Sequence, residues 1–206
     1  MKQHKYNSYE EYVLYQIEAG TRKMNDQNTT EDEMVFVSGI IKDLIPNAKF
    51  GLCHGTRGGL EQLILIRELD IEVLGTEISP KAADKFPHTI EWDFNKVKDE
   101  WINSVDFIYS NSFDHVFDPK EGLKTWMSCI KPSGFCILHW DKQHSDKYTR
   151  PKESDPFGAS LEEYKKLIED CGFNVHEIRE YTESTWRNKY AKNNPVQYIL
   201  INHKGE

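Results

Sequence analysis

The sequence has no long apolar run and no excess of basic residues. No stretch approaches the roughly 20 apolar residues of a membrane-spanning helix, and the opening MKQHKYNSYEEY lacks the apolar core of a signal peptide. A net charge of −8 argues against a broad nucleic-acid-binding face, because such faces are basic. We therefore expect a cytoplasmic protein without membrane or nucleic-acid partners, and we leave open whether it forms a homodimer.

Cysteine is scarce, and its spacing argues against both a cysteine metal site and a disulfide framework. The sequence has no CxxC pair and no cysteine cluster with metal-ligand spacing; the four cysteines are Cys53, Cys129, Cys136 and Cys171. Without a secretory signal we expect free, mostly buried thiols and no disulfide framework. Internal repeats, low-complexity tracts and linkers are also missing, so we expect a single domain over residues 1–206.

Two helices are predicted in the first part of the chain. Aromatic and apolar residues recur at helical spacing over about residues 6–23. A second helix begins at Thr30, where Glu33 completes a capping box, and it ends at Pro46. We assign residues 1–46 to an N-terminal helical cap.

Beyond residue 46, strand and helix signals alternate. Apolar strand segments such as AKFGLCH, IEVLGTEI, VDFIYSNS and FCILHWD are separated by helical segments, and KPSG is expected to form a turn. FNVHEIREY and VQYILINHK can pair as antiparallel strands. The pattern predicts an α/β fold, a three-layer Rossmann-like sandwich with a mostly parallel seven-stranded sheet and an antiparallel C-terminal edge strand. This core covers residues 47–206 and includes a polar lid loop at 142–159.

The segment GLCHGTRGGLEQ lies between the first of these strands and a helix. Gly55, Gly58 and Gly59 would let the backbone approach a ligand closely, and a helix N-terminus favours negative groups. The spacing is not GxGxxG, so the loop alone is equally compatible with an ordinary turn. Glu77 favours a binding role, because an acidic residue roughly 20 positions on, at the end of the second strand, can bind ribose hydroxyls.

The predicted third strand ends in another carboxylate. HTIEWDFN places Asp93 between Trp92 and Phe94. A carboxylate accepts a hydrogen bond from an exocyclic amine, and an aromatic ring can face a base. On its own, Asp93 is better explained as a helix cap, so its interpretation depends on the neighbouring strand ends.

Together these segments resemble the class I S-adenosylmethionine-dependent methyltransferases. The resemblance is carried by GLCHGTRGG, VLGTEISP, IEWDF, VDFIYSNSFDHVFDP and LKTWMSCIKPSGFCIL. Many small-molecule enzymes of this class have a strand ending near xLEHxxDP, then a helix and an LKPGG turn. SFDHVFDP and IKPSG occupy the same places here. The resemblance covers about residues 48–203, and it implies S-adenosylmethionine as cofactor with S-adenosylhomocysteine as product.

The resemblance also implies a role for each strand end. Gly55 and its neighbours lie along the methionine part of the cofactor, and Glu77 holds the ribose hydroxyls. Asp93 accepts from the adenine amine, with Ile78 and Phe94 packed against the adenine. The other positions implied to contact the cofactor are Cys53, His54, Thr56, Arg57, Ser110 and Asn111, of which the last two lie beneath the sulfonium and the incoming substrate.

The first loop departs from the family pattern. The family usually has an acidic residue at the end of the first strand and glycines spaced as GxGxG, whereas Cys53 and His54 stand at that strand end here. Arg57 also interrupts the glycines. Either Arg57 or Thr56 could bind the cofactor carboxylate through a charge-assisted contact, and a solvent-facing Arg57 is an equal alternative.

Histidines follow three of the predicted strands. Methyl transfer from a sulfonium needs alignment and exclusion of water, and a base only where the acceptor starts protonated. His54, His115 and His139 should surround one cleft, and we take His139 as the candidate base. His139, Asp141 and His144 also resemble part of a metal-ligand set. Because isolated histidines are more often structural, we assign no metal site.

The walls of the cleft are predicted from the first helix and the late loops. Tyr12 and Gln16 lie about one turn apart, where they could contact the cofactor or the substrate, or pack in the core. His115 and Trp186 complete the predicted substrate and lid positions. Asn111 joins His139 as a catalytic candidate.

The function that these features predict is methyl transfer to a small molecule by in-line SN2 displacement. The chain has no basic stripe, and SFDHVFDP is not the NPPY-type motif of amino-group methylation on nucleic acids or proteins. Two alternatives stay open. One is a protein or RNA methyltransferase, and the other is a protein that binds S-adenosylmethionine without transferring its methyl group.

Overall fold

A computed structural model of the chain describes residues 1–145, 153–183 and 195–205. The helices in these ranges are α1 (Tyr9–Arg22), α2 (Glu31–Leu44), α3 (Leu60–Leu69), α4 (Pro80–Lys85), α5 (Pro119–Cys129) and α6 (Leu161–Asp170). The strands are β1 (Lys2–Gln3), β2 (Phe50–His54), β3 (Glu72–Glu77), β4 (Thr89–Glu91), β5 (Val105–Ser110), β6 (Ile130–Trp140), β7 (Phe157–Gly158), β8 (Phe173–Tyr181) and β9 (Val196–His203). No helix within the described ranges is long and apolar enough to cross a bilayer.

Seven strands form one sheet in the order β4-β3-β2-β5-β6-β9-β8. The first five of these run parallel, and β9 is antiparallel to both β6 and β8. The predicted α/β fold with a mostly parallel seven-stranded sheet is confirmed. The reversed strand is the last in sequence, as expected, and β8 pairs outside it. The strand order reverses between β2 and β5, which places the expected ligand crevice at the carboxyl ends of these two strands.

Helices cover both faces of the sheet. α2 and α3 bury apolar side chains against one face, and α5 and α6 bury theirs against the other. Side chains along a strand alternate between faces, so Leu52 packs toward α5 while Cys53 packs toward α2. Of the predicted cap over residues 1–46, α2 therefore belongs to a layer of the sandwich, and α1 lies at the carboxyl ends of the strands.

The predicted start of α2 is confirmed in detail. The Thr30 hydroxyl accepts a hydrogen bond from Glu33 N at 3.2 Å, and the Glu33 carboxylate accepts one from Thr30 N at 2.8 Å. Two helix donors that would otherwise lack partners are thereby satisfied. The helix ends at Leu44, two residues before Pro46, which cannot continue a helical hydrogen-bond pattern.

The expected turn at KPSG is wrong, because β6 runs through it. Val105 of β5 pairs with Ile130, while Phe107 pairs with Phe135, so the extra residues form a bulge within the strand. Gly134 allows this close approach, since a Cβ there would overlap the carbonyl oxygen of Asp106. The KPSG segment is thus an irregularity that keeps both halves of β6 paired with β5.

Replacing Gly51 of β2 with alanine should destabilise the protein, because an added Cβ would overlap the buried ring of Phe107 in β5. Overpacking of this kind typically costs about 1–3 kcal/mol. Gly39→Ala in α2 is the matched control, since a Cβ there meets nothing within 4 Å and alanine is favoured over glycine in a helix by up to ~1 kcal/mol. Urea unfolding should show midpoints that move in opposite directions. An unchanged midpoint for Gly51→Ala would contradict the packing between β2 and β5.

Candidate functional site

A partly open cleft of about 510 Å³ lies at the carboxyl ends of the central strands. α1 forms one wall, and the segments after β2, β3, β4 and β5 form the others. The lining residues are Tyr12, Gln16, Ala19, Gly20, Lys23, Gly55, Arg57, Glu77, Ile78, Asp93, Phe94, Ser112 and His115.

The loop after β2 has a left-handed backbone at three alternate residues. The φ angles are +73° at Gly55, +43° at Arg57 and +72° at Gly59. Gly55 has a second reason to be glycine, because a Cβ there would lie 2.7 Å from Ser112 Cβ. The loop is held to β3 by hydrogen bonds from Gly55 N and Thr56 N to the Thr76 carbonyl, at 2.9 and 3.2 Å. The backbone therefore lines the cleft at Gly55 with no side chain in the way.

Glu77, at the end of β3, is the buried carboxylate of the cleft. Its oxygens accept one backbone hydrogen bond each, from Ser79 N at 3.0 Å and from Arg57 N at 3.1 Å. Burial raises the pKa of Glu77, and these hydrogen bonds oppose the rise. α1 approaches closely at Gly20, where a Cβ would lie 2.8 Å from Glu77 Oε1. Each oxygen retains a lone pair that could accept from a ligand hydroxyl.

Asp93, after β4, is the second carboxylate that faces the cleft. Its Oδ1 accepts from the backbone and the side-chain amide of Asn95, both at 3.0 Å. Its Oδ2 accepts from the hydroxyl of Tyr9 in α1. Ile78 and Phe94 line the same end of the cleft. An apolar slot edged by a carboxylate suits a planar heterocycle with an exocyclic amine.

The other end of the cleft is closed by contacts between α1, His115 and residues 153–155. Tyr12 donates to the His115 carbonyl at 2.9 Å, and His115 Nδ1 lies 3.2 Å from Gln16 Oε1. The Gln16 amide donates to the Glu153 carbonyl at 3.1 Å, and His115 Nε2 lies 3.6 Å from Asp155 Oδ1. Three of the predicted substrate positions are thus brought together. The fourth, Trp186, lies outside the described residues, as do residues 146–152 of the predicted lid.

The three predicted cleft histidines do not share one cleft. His54 is buried toward α5, where its ring packs 4.8 Å from Trp126 and its Nδ1 lies 2.9 Å from Thr76 Oγ1. Burial lowers the pKa of His54 to about 3, so the ring is neutral. His139 is buried toward the opposite layer, 5.6 Å from the ring of Tyr198. Of the three, only His115 lines the cleft, because strand alternation sends the other two side chains into the two cores.

Three other predicted cofactor residues lie behind the cleft surface. Cys53 is fully buried in the core beside α2, and burial raises the pKa of its thiol. Ser110 is also buried, and it donates to the His54 carbonyl at 2.8 Å and accepts from Ser112 N at 3.0 Å. The Thr56 hydroxyl is aimed at Gly75, where an added Cβ would lie 2.7 Å from it. None of these three side chains lines the main cleft, although Thr56 lines an adjoining cavity.

A smaller cavity of about 200 Å³ adjoins the cleft at Gly55, Arg57 and Ser112. Asn111 lines it, together with Glu61 from the first turn of α3. The Asn111 amide donates to Glu61 Oε1 at 3.2 Å, and Glu61 Oε2 is buried without a hydrogen-bond partner among the described residues. Burial raises the pKa of Glu61 to about 7.

Four residues of the site were not predicted from the sequence: Glu61, Tyr9, Gly20 and Ser112. Glu61 was hidden as one of four polar residues in α3, although it stands only two positions after Gly59. Gly20 and Tyr9 matter through contacts with Glu77 and Asp93, which lie far away in sequence. Only the helical spacing of Tyr9, Tyr12 and Gln16 could have indicated a shared face of α1.

Solved structures with the same fold extend over nearly the whole chain. The 1,6-didemethyltoxoflavin-N1-methyltransferase of Burkholderia thailandensis, crystallised with 1,6-didemethyltoxoflavin and S-adenosylhomocysteine, matches 98% of this chain and 93% of its own at 12% identity and TM-score 0.72. A SAM-dependent methyltransferase of Leishmania major matches 94% of this chain and 82% of its own, at 15% identity and TM-score 0.66. The [4+2]-cyclase SpnF matches 83% and 81%, at 11% identity and TM-score 0.63.

No protein-family model matches the sequence, and no curated protein matches it. The structural likeness therefore establishes the fold and leaves the activity to be argued from the site. The chain has the Rossmann-like fold of the class I S-adenosylmethionine-dependent methyltransferases.

Glu61 should make stability depend on pH. The folded-state pKa of Glu61, about 7, exceeds the ordinary 4.5. The stabilisation of the folded state that comes from protonated Glu61 is therefore fully present below pH 4.5 and is lost as pH rises through 7. The loss is on the order of 3 kcal/mol. Glu61→Gln should therefore gain stability relative to the unmutated chain between pH 5 and pH 8, measured by urea unfolding. Glu72→Gln, at the exposed start of β3, is the control, and a Glu61→Gln difference that is equal at both pH values would contradict the assignment.

Proposed function

We propose that the chain binds S-adenosylmethionine in the cleft and transfers its methyl group to a small-molecule acceptor. The observation that carries this proposal is the position of Glu77. It is a buried carboxylate at the end of β3, it hydrogen-bonds the glycine loop through Arg57 N, and it faces the cleft. In Rossmann-like folds a carboxylate at this place binds ribose hydroxyls.

The adenine is assigned to the end of the cleft near Asp93. Ile78, Phe94 and Asp93 line the cleft there. Ile78 and Phe94 would supply apolar contacts to the ring, and Asp93 would accept from the exocyclic amine. Tyr9 already donates to Asp93, which orients the carboxylate before the ligand arrives. Preorganisation of this kind lowers the cost of binding.

The methionine end is assigned to the region where the cleft meets the smaller cavity. Arg57 lines both spaces, and Glu61 lines the smaller one. A guanidinium and a carboxylate on neighbouring walls match the carboxylate and ammonium of an amino acid. Glu61 would thus supply the negative charge that Cys53 and His54 do not provide at the end of β2. Between the two predicted carboxylate ligands, Arg57 is favoured, because it is a cation and lines both spaces, whereas Thr56 lines only the smaller one.

Methyl transfer would proceed by in-line displacement on the sulfonium. The protein's part is to align the acceptor and exclude water, and the contacts of α1 with His115 and residues 153–155 provide a wall for this purpose. For an acceptor that starts protonated, His115 replaces His139 as the candidate base, since His115 lines the cleft. Asn111 is a positioning residue, since its amide is bonded to Glu61.

A small acceptor is supported by the shape of the site. α1 forms one wall and so partly covers the cleft, and the chain carries a net charge of −8, which disfavours a nucleic-acid acceptor. A structural neighbour binds 1,6-didemethyltoxoflavin, a small molecule. Another neighbour with the same fold is a cyclase, so the fold alone does not imply methyl transfer. Cofactor binding without transfer is therefore the second candidate function.

Glu77→Gln should weaken binding of S-adenosylhomocysteine by about tenfold or more, since a hydrogen bond to a charged group contributes about 1.5–3 kcal/mol. Isothermal titration calorimetry measures the change. Glu72→Gln, on the same strand but exposed, should bind like the unmutated chain. Equal affinities for all three proteins would remove the ribose assignment.

Arg57→Gln should discriminate between two ligands. S-adenosylhomocysteine has the amino-acid end and should bind at least several-fold more weakly to the variant, whereas 5′-methylthioadenosine lacks that end and should bind as before. Arg67→Gln in α3, whose side chain pairs with Glu31 and Glu68 at the surface, is the control. The same loss for both ligands would show that Arg57 acts through the loop instead.

Transfer itself can be tested with methyl-labelled S-adenosylmethionine and a cell extract divided into metabolite, protein and RNA fractions. We expect label in the metabolite fraction. Label in the protein or RNA fraction would show that the acceptor is a macromolecule and not a small molecule. Tight cofactor binding without label in any fraction would favour the second candidate function.

A further inference from the structure

A compact cluster of His139, Asp141 and His144 lies at the end of β6, separate from the cleft. The side chains are 1%, 0% and 3% exposed. None of them is among the described residues that line the cleft. The proposed methyl transfer does not use the cluster. The burial of one carboxylate beside two imidazoles, which is costly, therefore requires a different explanation.

The spacing of the polar atoms matches that of ligands around one metal ion. His144 Nδ1 lies 3.0 Å from Asp141 Oδ1, and His139 Nε2 lies 3.5 Å from Asp141 Oδ2. The three residues offer ligand atoms that all lie within 4.8 Å of one another. Ligand atoms held at 2.0–2.1 Å from a tetrahedral ion are about 3.3–3.4 Å apart. The two contacts to Asp141 are already near this value, and atoms as far as 4.8 Å apart would have to approach by about 1.4 Å.

The second nitrogen of His144 already has the partners that a ligating histidine needs. His144 Nε2 lies 3.3 Å from the Asn111 carbonyl and 3.7 Å from Asp114 Oδ1. Donation from Nε2–H to that carbonyl leaves Nδ1 unprotonated. Nδ1 accepts a hydrogen bond from Asp141 N at 3.4 Å, and a bound ion would take the place of this contact. Metal-binding histidines are held in this way, with the other ring N–H on a carbonyl or carboxylate.

We propose that His139, Asp141 and His144 bind a divalent transition-metal ion of the Zn²⁺ type. Two imidazoles and a carboxylate form a nitrogen and oxygen set that suits zinc and its first-row neighbours better than Mg²⁺ or Ca²⁺. The ion would neutralise the buried Asp141 carboxylate without the cost of a buried imidazolium. It would also fix the turn at Lys142–His144 to β6 and, through His144, to Asn111 at the end of β5.

A second group of possible ligands, Asp114, His115 and Asp155, fits less well. Its members are partly exposed. It offers one imidazole and two carboxylates, and His115 Nδ1 is already 3.2 Å from Gln16 Oε1. Asp114 is better placed as an outer partner of His144.

The test uses the tag-free chain, stripped with a chelator and then dialysed against Zn²⁺ or Co²⁺. We expect close to one Zn²⁺ per chain by mass spectrometry of the metal, a higher melting temperature with Zn²⁺, and visible ligand-field bands with Co²⁺. Asp141→Asn and His144→Gln should each lower Zn²⁺ affinity more than about 100-fold, since changes in outer partners alone cost 10–100-fold. His176→Gln, an exposed histidine on β8, should behave like the unmutated chain.

Failure of the proposal would be visible in the unmutated protein. Absence of Co²⁺ bands, or Zn²⁺ uptake equal to that of folded Asp141→Asn, would overturn it and leave the cluster as a hydrogen-bonded cap of the turn. If both variants fail to fold, the Co²⁺ spectrum of the unmutated chain decides, because two nitrogen ligands and one carboxylate differ from solvated Co²⁺. None of these readouts involves S-adenosylmethionine, so the result is independent of the proposed function.

Discussion

The site depends on how the loop after β2 is fastened to the end of β3. Two consecutive N–H groups, of Gly55 and Thr56, share the Thr76 carbonyl, and the next one, of Arg57, donates to Glu77. This fastening requires left-handed backbone, which glycine accommodates at Gly55 and Arg57 adopts with some strain. The loop thereby presents backbone to the cleft and fixes the carboxylate that the proposed cofactor would meet. Polar contacts made by α1 then complete the cavity.

Much of the architecture follows from local sequence signals. The capping box at Thr30, the alternation of strands and helices, and the late pair of β8 and β9 are all visible as short-range patterns. The KPSG segment has the composition of a turn, but its conformation is determined by pairing with β5. Local composition cannot predict a strand whose conformation depends on pairing with another strand.

The candidate site divides in the same way. Glu77 and Asp93 could be found because they stand at strand ends, and strand ends meet at one edge of a parallel sheet. The contacts of Tyr9 with Asp93 and of Asn111 with Glu61 connect segments far apart in sequence. A local sequence pattern therefore cannot predict them. The prediction that His54, His115 and His139 share one cleft rested on their positions at strand ends and did not include the direction of each side chain. One residue along a strand changes the face, and this separates His54 from His139.

The hydrogen bond between Tyr9 and Asp93 has a consequence for the order of events at the cleft. Asp93 Oδ2 is the acceptor for Tyr9 and, under the proposed function, also for the adenine amine. Two donors that share one oxygen are thermodynamically linked, so that binding of the base and seating of α1 influence each other with equal strength. α1 also supplies Gly20 against Glu77 and Gln16 against residues 153–154. Through α1, binding of the nucleoside would thus be coupled to the opposite end of the cleft, where the acceptor binds.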